Sequence, residues 1–148
     1  FQLAAVSFAR NVCNYSDANS TEIEEKTSNP IIDLLPEQDD VTDMGGSLRL
    51  GANEINVKPN TLANKIYGQE RISKRHRHRY EFNTKYLDEF AENGMIFSGE
   101  SDNGRRMEIL EIPSHKFFVG VQFHPEFNSR PGYPEQVFKA FTTAANQN

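Results

Sequence analysis

At 148 residues the chain is long enough for one domain with a substantial core and short for two. Hydrophobic residues make up 36% and the mean hydropathy is −0.68, yet eleven Phe and five Tyr supply large apolar groups that a disordered chain of this polarity lacks. A formal net charge of −5 argues against a general nucleic-acid binder, and no apolar run approaches the ~20 residues that span a bilayer.

Phe1, Ala4, Ala5, Phe8, Ala9 and Val12 recur at helical spacing, which predicts an amphipathic helix already in register at residue 1. Because the chain opens without Met inside that pattern, it is expected to be the back part of something longer. A turn-rich polar loop over 14–22 leads to a short strand over 30–35 and an acidic loop over 36–43. Paired glycines open β-structure over 45–57, and a short helix over 61–67 is closed by Gly68. Residues 71–83 alternate as a strand; a helix then runs from a cap at Asn83 or Thr84 to a stop at Gly94. Strands are expected over 95–99 and 106–112, then an almost continuous apolar run over 117–123, of the kind buried on both faces at the centre of an α/β sheet. The last helix has Pro134 near its first turn and Val137, Phe138 and Phe141 on its apolar side. With no repeat, linker or low-complexity segment, the whole reads as one α/β domain.

The apolar run ends on "FHPEF", placing His124 and Glu126 two residues apart at a strand's carboxyl end, where open α/β sheets collect catalytic groups. A histidine there can move protons near neutral pH, and a nearby carboxylate can fix its tautomer. Pro125 biases His124 toward extended geometry. The alternative is a strand end that simply meets water. In "KRHRHR", alternation places Arg75, Arg77 and Arg79 on one face and His76, His78 and Tyr80 on the other. The His-x-His pair lacks further ligands at zinc spacing, so no metal site is expected, and a solvated charged strand with anionic partners is the default. Cys13, the single cysteine, cannot form an internal disulfide, which fits a cytoplasmic setting. It follows a helix with no glycine-framed turn to present it, and reads as a small apolar residue rather than a nucleophile. The glycines of "MGGSLRLG" read as a flexible turn.

Taken together, "ANSTE" at 18–22, "MGGSLRLG" at 44–51, "RHRHRYEFN" at 75–83 and "FHPEF" at 123–127 resemble one family. The His-Pro-Glu signature is that of the class I glutamine amidotransferases, and the other stretches are similar to the amidotransferase domain of the CTP synthase family. The similarity runs from Phe1 to the terminal helix, with Ser47, Leu48 and Phe82 as small departures. It implies an α/β fold with a central mixed sheet flanked by helices, of which residues 1–148 are the C-terminal portion.

The resemblance also implies a mechanism. A Cys-His-Glu triad hydrolyses L-glutamine, and the ammonia serves an ATP-dependent amination of UTP to CTP, with His124 as base and Glu126 orienting it. Phe1, Gln2, Glu22 and Arg79 would bind glutamine: Arg79 at its α-carboxylate, Glu22 at its α-ammonium, Gln2 and the Phe1 backbone as pocket wall. In the family's Cys-Leu-Gly-x-Gln elbow, "FQ" at 1–2 matches the last two positions, so the nucleophile is expected three residues before Phe1. No cofactor is expected on these residues. ATP and Mg²⁺ belong to an N-terminal synthetase domain of the same chain, with GTP as an effector near the "MGGSLRLG" lid and a homotetramer as the assembly. These 148 residues alone are expected to be inactive and to fold poorly. Two rivals stand beside this reading: a class I amidotransferase feeding another acceptor, and a non-catalytic remnant or interaction module.

Overall fold

A computed structural model describes residues 1–35 and 49–147. The N-terminal helix is α1 (Gln2–Asn11); of the expected stripe Ala5, Phe8 and Ala9 are buried, joined by Val6, while Val12, beyond the last turn, is 42% exposed. Within the polar loop lies β1 (Asn19–Ser20), which pairs in parallel with β2 (Pro30–Asp33). After β3 (Arg49–Val57), helix α2 (Leu62–Tyr67) starts under a Thr61 side-chain cap and stops at Gly68. Gly68 has φ +63°, the left-handed geometry that a residue without Cβ adopts at no steric cost. The basic run forms β4 (Arg71–His78), followed by β5 (Glu81–Phe82) and a 3₁₀ turn, Thr84–Tyr86, whose cap is Asn83. Helix α3 (Leu87–Glu92), strands β6 (Ile96–Ser101), β7 (Arg106–Glu111) and β8 (Val119–Val121), and helix α4 (Gln136–Ala145) complete the order. The acidic loop and the "MGGSL" part of the glycine-rich stretch lie outside the described residues.

Strand order in the larger sheet is β4-β3-β6-β7-β8, every neighbouring pair antiparallel. The mixed pairing resides in the smaller sheet, β1-β2-β5, where β2 is parallel to β1 and antiparallel to β5. The expectation of a central strand over 117–123 is corrected: β8 has only three residues, all half-buried, and pairs with β7 alone among the described strands. Its flanks explain the misleading run. Phe117 packs edge-on against Phe141 of α4 at 5.7 Å, and Phe123 turns into the core beside Tyr67 at 6.5 Å. Apolar character is used for helix packing rather than for burial of both strand faces.

The larger sheet is covered on both faces. Ile109 and Leu110 are neighbours on β7, point oppositely, and belong to different apolar clusters. The first cluster gathers α1, α3, β2 and Phe82, with Phe82 4.3 Å from Phe97 and 5.0 Å from Phe90. The second gathers Ala63 and Tyr67 of α2, Val137 of α4, Ile55, Val57, Ile72 and Phe123. Val137 is the buried member of the expected apolar side of α4, while Phe138 and Phe141 are 41% and 57% exposed. Pro134 precedes the helix, and Glu135 caps it, accepting from the Val137 N–H at 2.8 Å. The same carboxylate holds the buried Lys74 ammonium, which ties β4 to α4.

Candidate functional site

Residues 122–128 are placed by both neighbouring strands. The Gln122 N–H donates to the Glu108 carbonyl at 2.9 Å, and the His124 N–H to the Arg75 carbonyl at 2.9 Å. His124 is extended (φ −104°, ψ 91°), as the residue before proline prefers, and Pro125 opens a 3₁₀ turn, Pro125–Asn128. That turn swings Glu126 back under the imidazole. Nδ1–H of His124 donates to Glu126 Oε1 at 2.7 Å. Since an ionised carboxylate can only accept, the proton of the neutral ring resides on Nδ1, and Nε2 keeps its lone pair. On Glu126, partial desolvation acts upward, and hydrogen bonds from its own backbone N–H and from His124 outweigh it, holding the carboxyl below its ordinary range. The side chains are 37% and 56% exposed, so the pair is open to a substrate. A concavity of about 420 Å³ beside it is lined by Leu50, Gly51, Arg75, His76, Arg77 and Phe127, and the Phe127 ring lies 5.5 Å from that of His124.

The residues expected to bind an amino acid converge from separate elements. Phe1 caps α1 and lies against β8: a Cβ on Gly120 would be 3.4 Å from the Phe1 Cα and 2.9 Å from Leu110 Cδ1, so the close approach requires glycine. Gln2 donates from Nε2 to the Tyr80 carbonyl at 3.1 Å and reaches Gln122 Oε1 at 3.5 Å. Tyr80 directly follows the half-buried Arg79. Glu22 is exposed, with its N–H held by Ser20 Oγ at 3.2 Å. It lines a cavity of about 690 Å³ together with Tyr80, Thr21 and Asp33. The first turn of α1, the Arg79–Tyr80 segment and the end of β8 thus meet, with Glu22 on the rim of the adjoining cavity.

The anionic partners expected for the basic strand are present, but as a buried layer whose members sequence reasoning did not identify. The basic strand is not simply solvated: Lys74 and His76 on its inner face are 9% and 2% exposed. Their partners come from distant positions. Arg49 bonds Glu108, whose other oxygen lies 3.6 Å from His76 Nδ1. His78 Nδ1–H donates to the Tyr80 carbonyl at 3.2 Å, so its Nε2 is an acceptor, and His76 Nδ1–H donates to it at 3.0 Å. Burial first, then the Arg49 and His124 charges, push His76 down to about 3. Burial and His76 likewise take His78 to about 4. Glu81 is pushed up to about 8 by burial and by Glu108.

His76, His78 and Glu108 carry donor atoms within 4.8 Å of one another. Arg49 sits on the same carboxylate, however, and its fixed charge opposes a cation there. One ring donating to the other accounts for the 3.0 Å separation. Gln122 was also missed, though a lone polar side chain inside "FFVGVQF" was the signal that could have found it. Cys13 is 8% exposed within the first apolar cluster, and burial, then Glu89, raise its pKa, which disfavours the thiolate.

Comparison with known proteins follows the same lines. The profile of the family described as glutamine amidotransferase class-I matches residues 1–144. A CTP synthase of Archaeoglobus fulgidus is 54% identical over 98% of this chain, and one of Staphylococcus saprophyticus is 56% identical over 97%. In both cases the chain spans 27% of the relative's length. Among solved structures, the glutaminase domain of a Trypanosoma brucei CTPS with bound acivicin superposes with a TM-score of 0.91 at 35% identity, covering 99% of this chain and 57% of that one.

Proposed function

This chain belongs to the class I glutamine amidotransferases, and from that premise we propose that it is the glutaminase portion of a CTP synthase, binding L-glutamine and releasing ammonia from its side-chain amide. The observation that carries the reading is the His124–Glu126 pair, in which the carboxylate fixes the proton on Nδ1 and leaves Nε2 as the base.

In the proposed reaction, Nε2 takes the proton of a cysteine thiol that the family resemblance puts three residues ahead of Phe1. The thiolate attacks the amide carbon of glutamine, and the C–N bond breaks as the imidazolium returns a proton to the leaving nitrogen. Water, deprotonated by the same ring, then cleaves the thioester to glutamate. Arg79 offers a planar fork to the α-carboxylate, Glu22 a negative charge to the α-ammonium, and Gln2 with the Phe1 backbone forms the wall. The ammonia is consumed by a synthetase domain of the same longer chain, which uses ATP and Mg²⁺ to aminate UTP. GTP acts as effector, and the assembly is a cytoplasmic homotetramer. Among the described residues no helix is long and apolar enough to cross a membrane.

The test uses the full-length protein and two nitrogen donors. His124→Ala and Arg79→Ala are expected to reduce glutamine-dependent product formation by ~10²-fold or more while leaving the ammonia-dependent rate within about twofold. Equal loss with both donors would assign these residues to the fold or to the synthetase site instead.

A further inference from the structure

The carbonyl of Tyr80 accepts from three side chains: Gln2 Nε2 at 3.1 Å, Gln122 Nε2 at 3.2 Å and His78 Nδ1 at 3.2 Å. A carbonyl oxygen has two lone pairs, so this concentration of donors is unusual. The donors come from three elements: the first turn of α1, the segment that follows β8, and the last residue of β4. Residues 79 and 80 belong to neither β4 nor β5, so no strand ladder holds them. These side chains hold the Tyr80 carbonyl, one residue after Arg79 in the chain.

We propose that Gln122 is a positioning residue: its amide holds the Tyr80 carbonyl and thereby fixes Arg79 relative to His124, two residues further along its own backbone. The proposal rests on the glutaminase reading above. Gln122 suits the task because it is 7% exposed and its own N–H is bonded to the Glu108 carbonyl at 2.9 Å. Its backbone is tied to β7, and both ends of its amide are engaged, the nitrogen by Tyr80 and the oxygen by Gln2 at 3.5 Å. Glutamine docking needs the carboxylate anchor and the base at a fixed separation, since small misplacements of bound groups cost rate steeply. The amide clamps that separation without touching substrate.

The experiment uses the full-length protein with Gln122→Met, which keeps volume and removes both hydrogen bonds, and Gln122→Glu, which keeps an acceptor toward Gln2 and loses the donor to Tyr80. Both are expected to raise KM for glutamine by roughly tenfold, the order of one or two lost hydrogen bonds, with kcat changed less and the ammonia-dependent rate unchanged. Gln2→Met combined with Gln122→Met should cost less than the product of the single effects, because both act through one carbonyl. If His124→Ala abolishes glutamine use while Gln122→Met leaves KM unchanged, the positioning role is wrong. If Gln122→Met lowers both nitrogen-donor rates equally with a drop in melting temperature, Gln122 serves the fold only, and the proposal also fails. If His124→Ala retains glutamine-dependent activity, the underlying glutaminase reading falls instead.

Discussion

The most informative side chains of this domain are those whose ionisation has been pushed away from the ordinary. The buried His76 and the half-buried His78 are neutral, at about 3 and about 4, while Glu81 is raised to about 8. In an unfolded chain the same groups titrate near ~6.5 for His and ~4.3 for Glu. Below ~6.5 the unfolded chain takes up protons that the folded histidines refuse, so their stabilisation is lost as pH falls toward the folded values. Above ~4.3 the unfolded Glu81 releases a proton that the folded state retains, so stability also falls as pH rises toward about 8. Where the ranges overlap, two histidines outweigh one glutamate. Stability is therefore expected to peak near ~pH 6.5, read as amide-exchange protection in β4 and β7. Glu81→Gln should remove the alkaline decline and leave the acid one. A protection profile that is flat from about pH 5 to about pH 8 would contradict this assignment of protons.

At the scale of elements, α2 shows how the sheet supports the helices that cover it. It is only six residues long, too short to hold itself, and its first N–H groups are orphans in water-poor surroundings. Thr61 caps the Asn64 N–H, and Glu111 of β7 accepts from Leu62 at 3.0 Å and Ala63 at 2.6 Å. Glu111 is 2% exposed, so its truncation leaves the buried Ala63 N–H and the part-buried Leu62 N–H without their acceptor. Glu111→Ala is expected to destabilise the domain by about 2–4 kcal/mol, and Glu111→Gln, which keeps one acceptor oxygen, by about half that. Thermal or denaturant unfolding of the two variants checks the order; equal losses would mean that charge, not acceptance, holds α2.

This cap was invisible in the sequence, where Glu111 is one polar residue ending an apolar strand 48 and 49 positions from its partners. What could be read were features with local causes: most of the α1 stripe from its spacing, the stop at Gly68 from its need for positive φ, the extended His124 from the proline after it. The charged layer could not be read, because Arg49, Glu81 and Glu108 meet only through strand pairing.

At the scale of the whole molecule, the larger sheet divides the interior, and Cys13 is buried in the layer that does not hold Phe123, the neighbour of His124. Cys13 belongs to the cluster with Ala5, Phe8 and Phe90, whereas Phe123, next to His124, belongs to the one with Tyr67 and Val137. Ile109 and Leu110 mark the sheet between the two clusters. A thiol in the first layer, 8% exposed and with its pKa raised by burial, has neither the access nor the charge state to attack a substrate held beside His124. The base and the proposed glutamine-binding residues are thus present in these 148 residues without a usable nucleophile among the described ones. The isolated chain, given glutamine, is therefore expected to release no ammonia above the uncatalysed rate, even at high protein concentration. The full-length protein should release it at a rate that Cys13→Ser leaves unchanged. Turnover by the isolated chain that disappears in Cys13→Ser would show that this thiol reaches His124, and the two-layer separation drawn from the clusters would have to be abandoned.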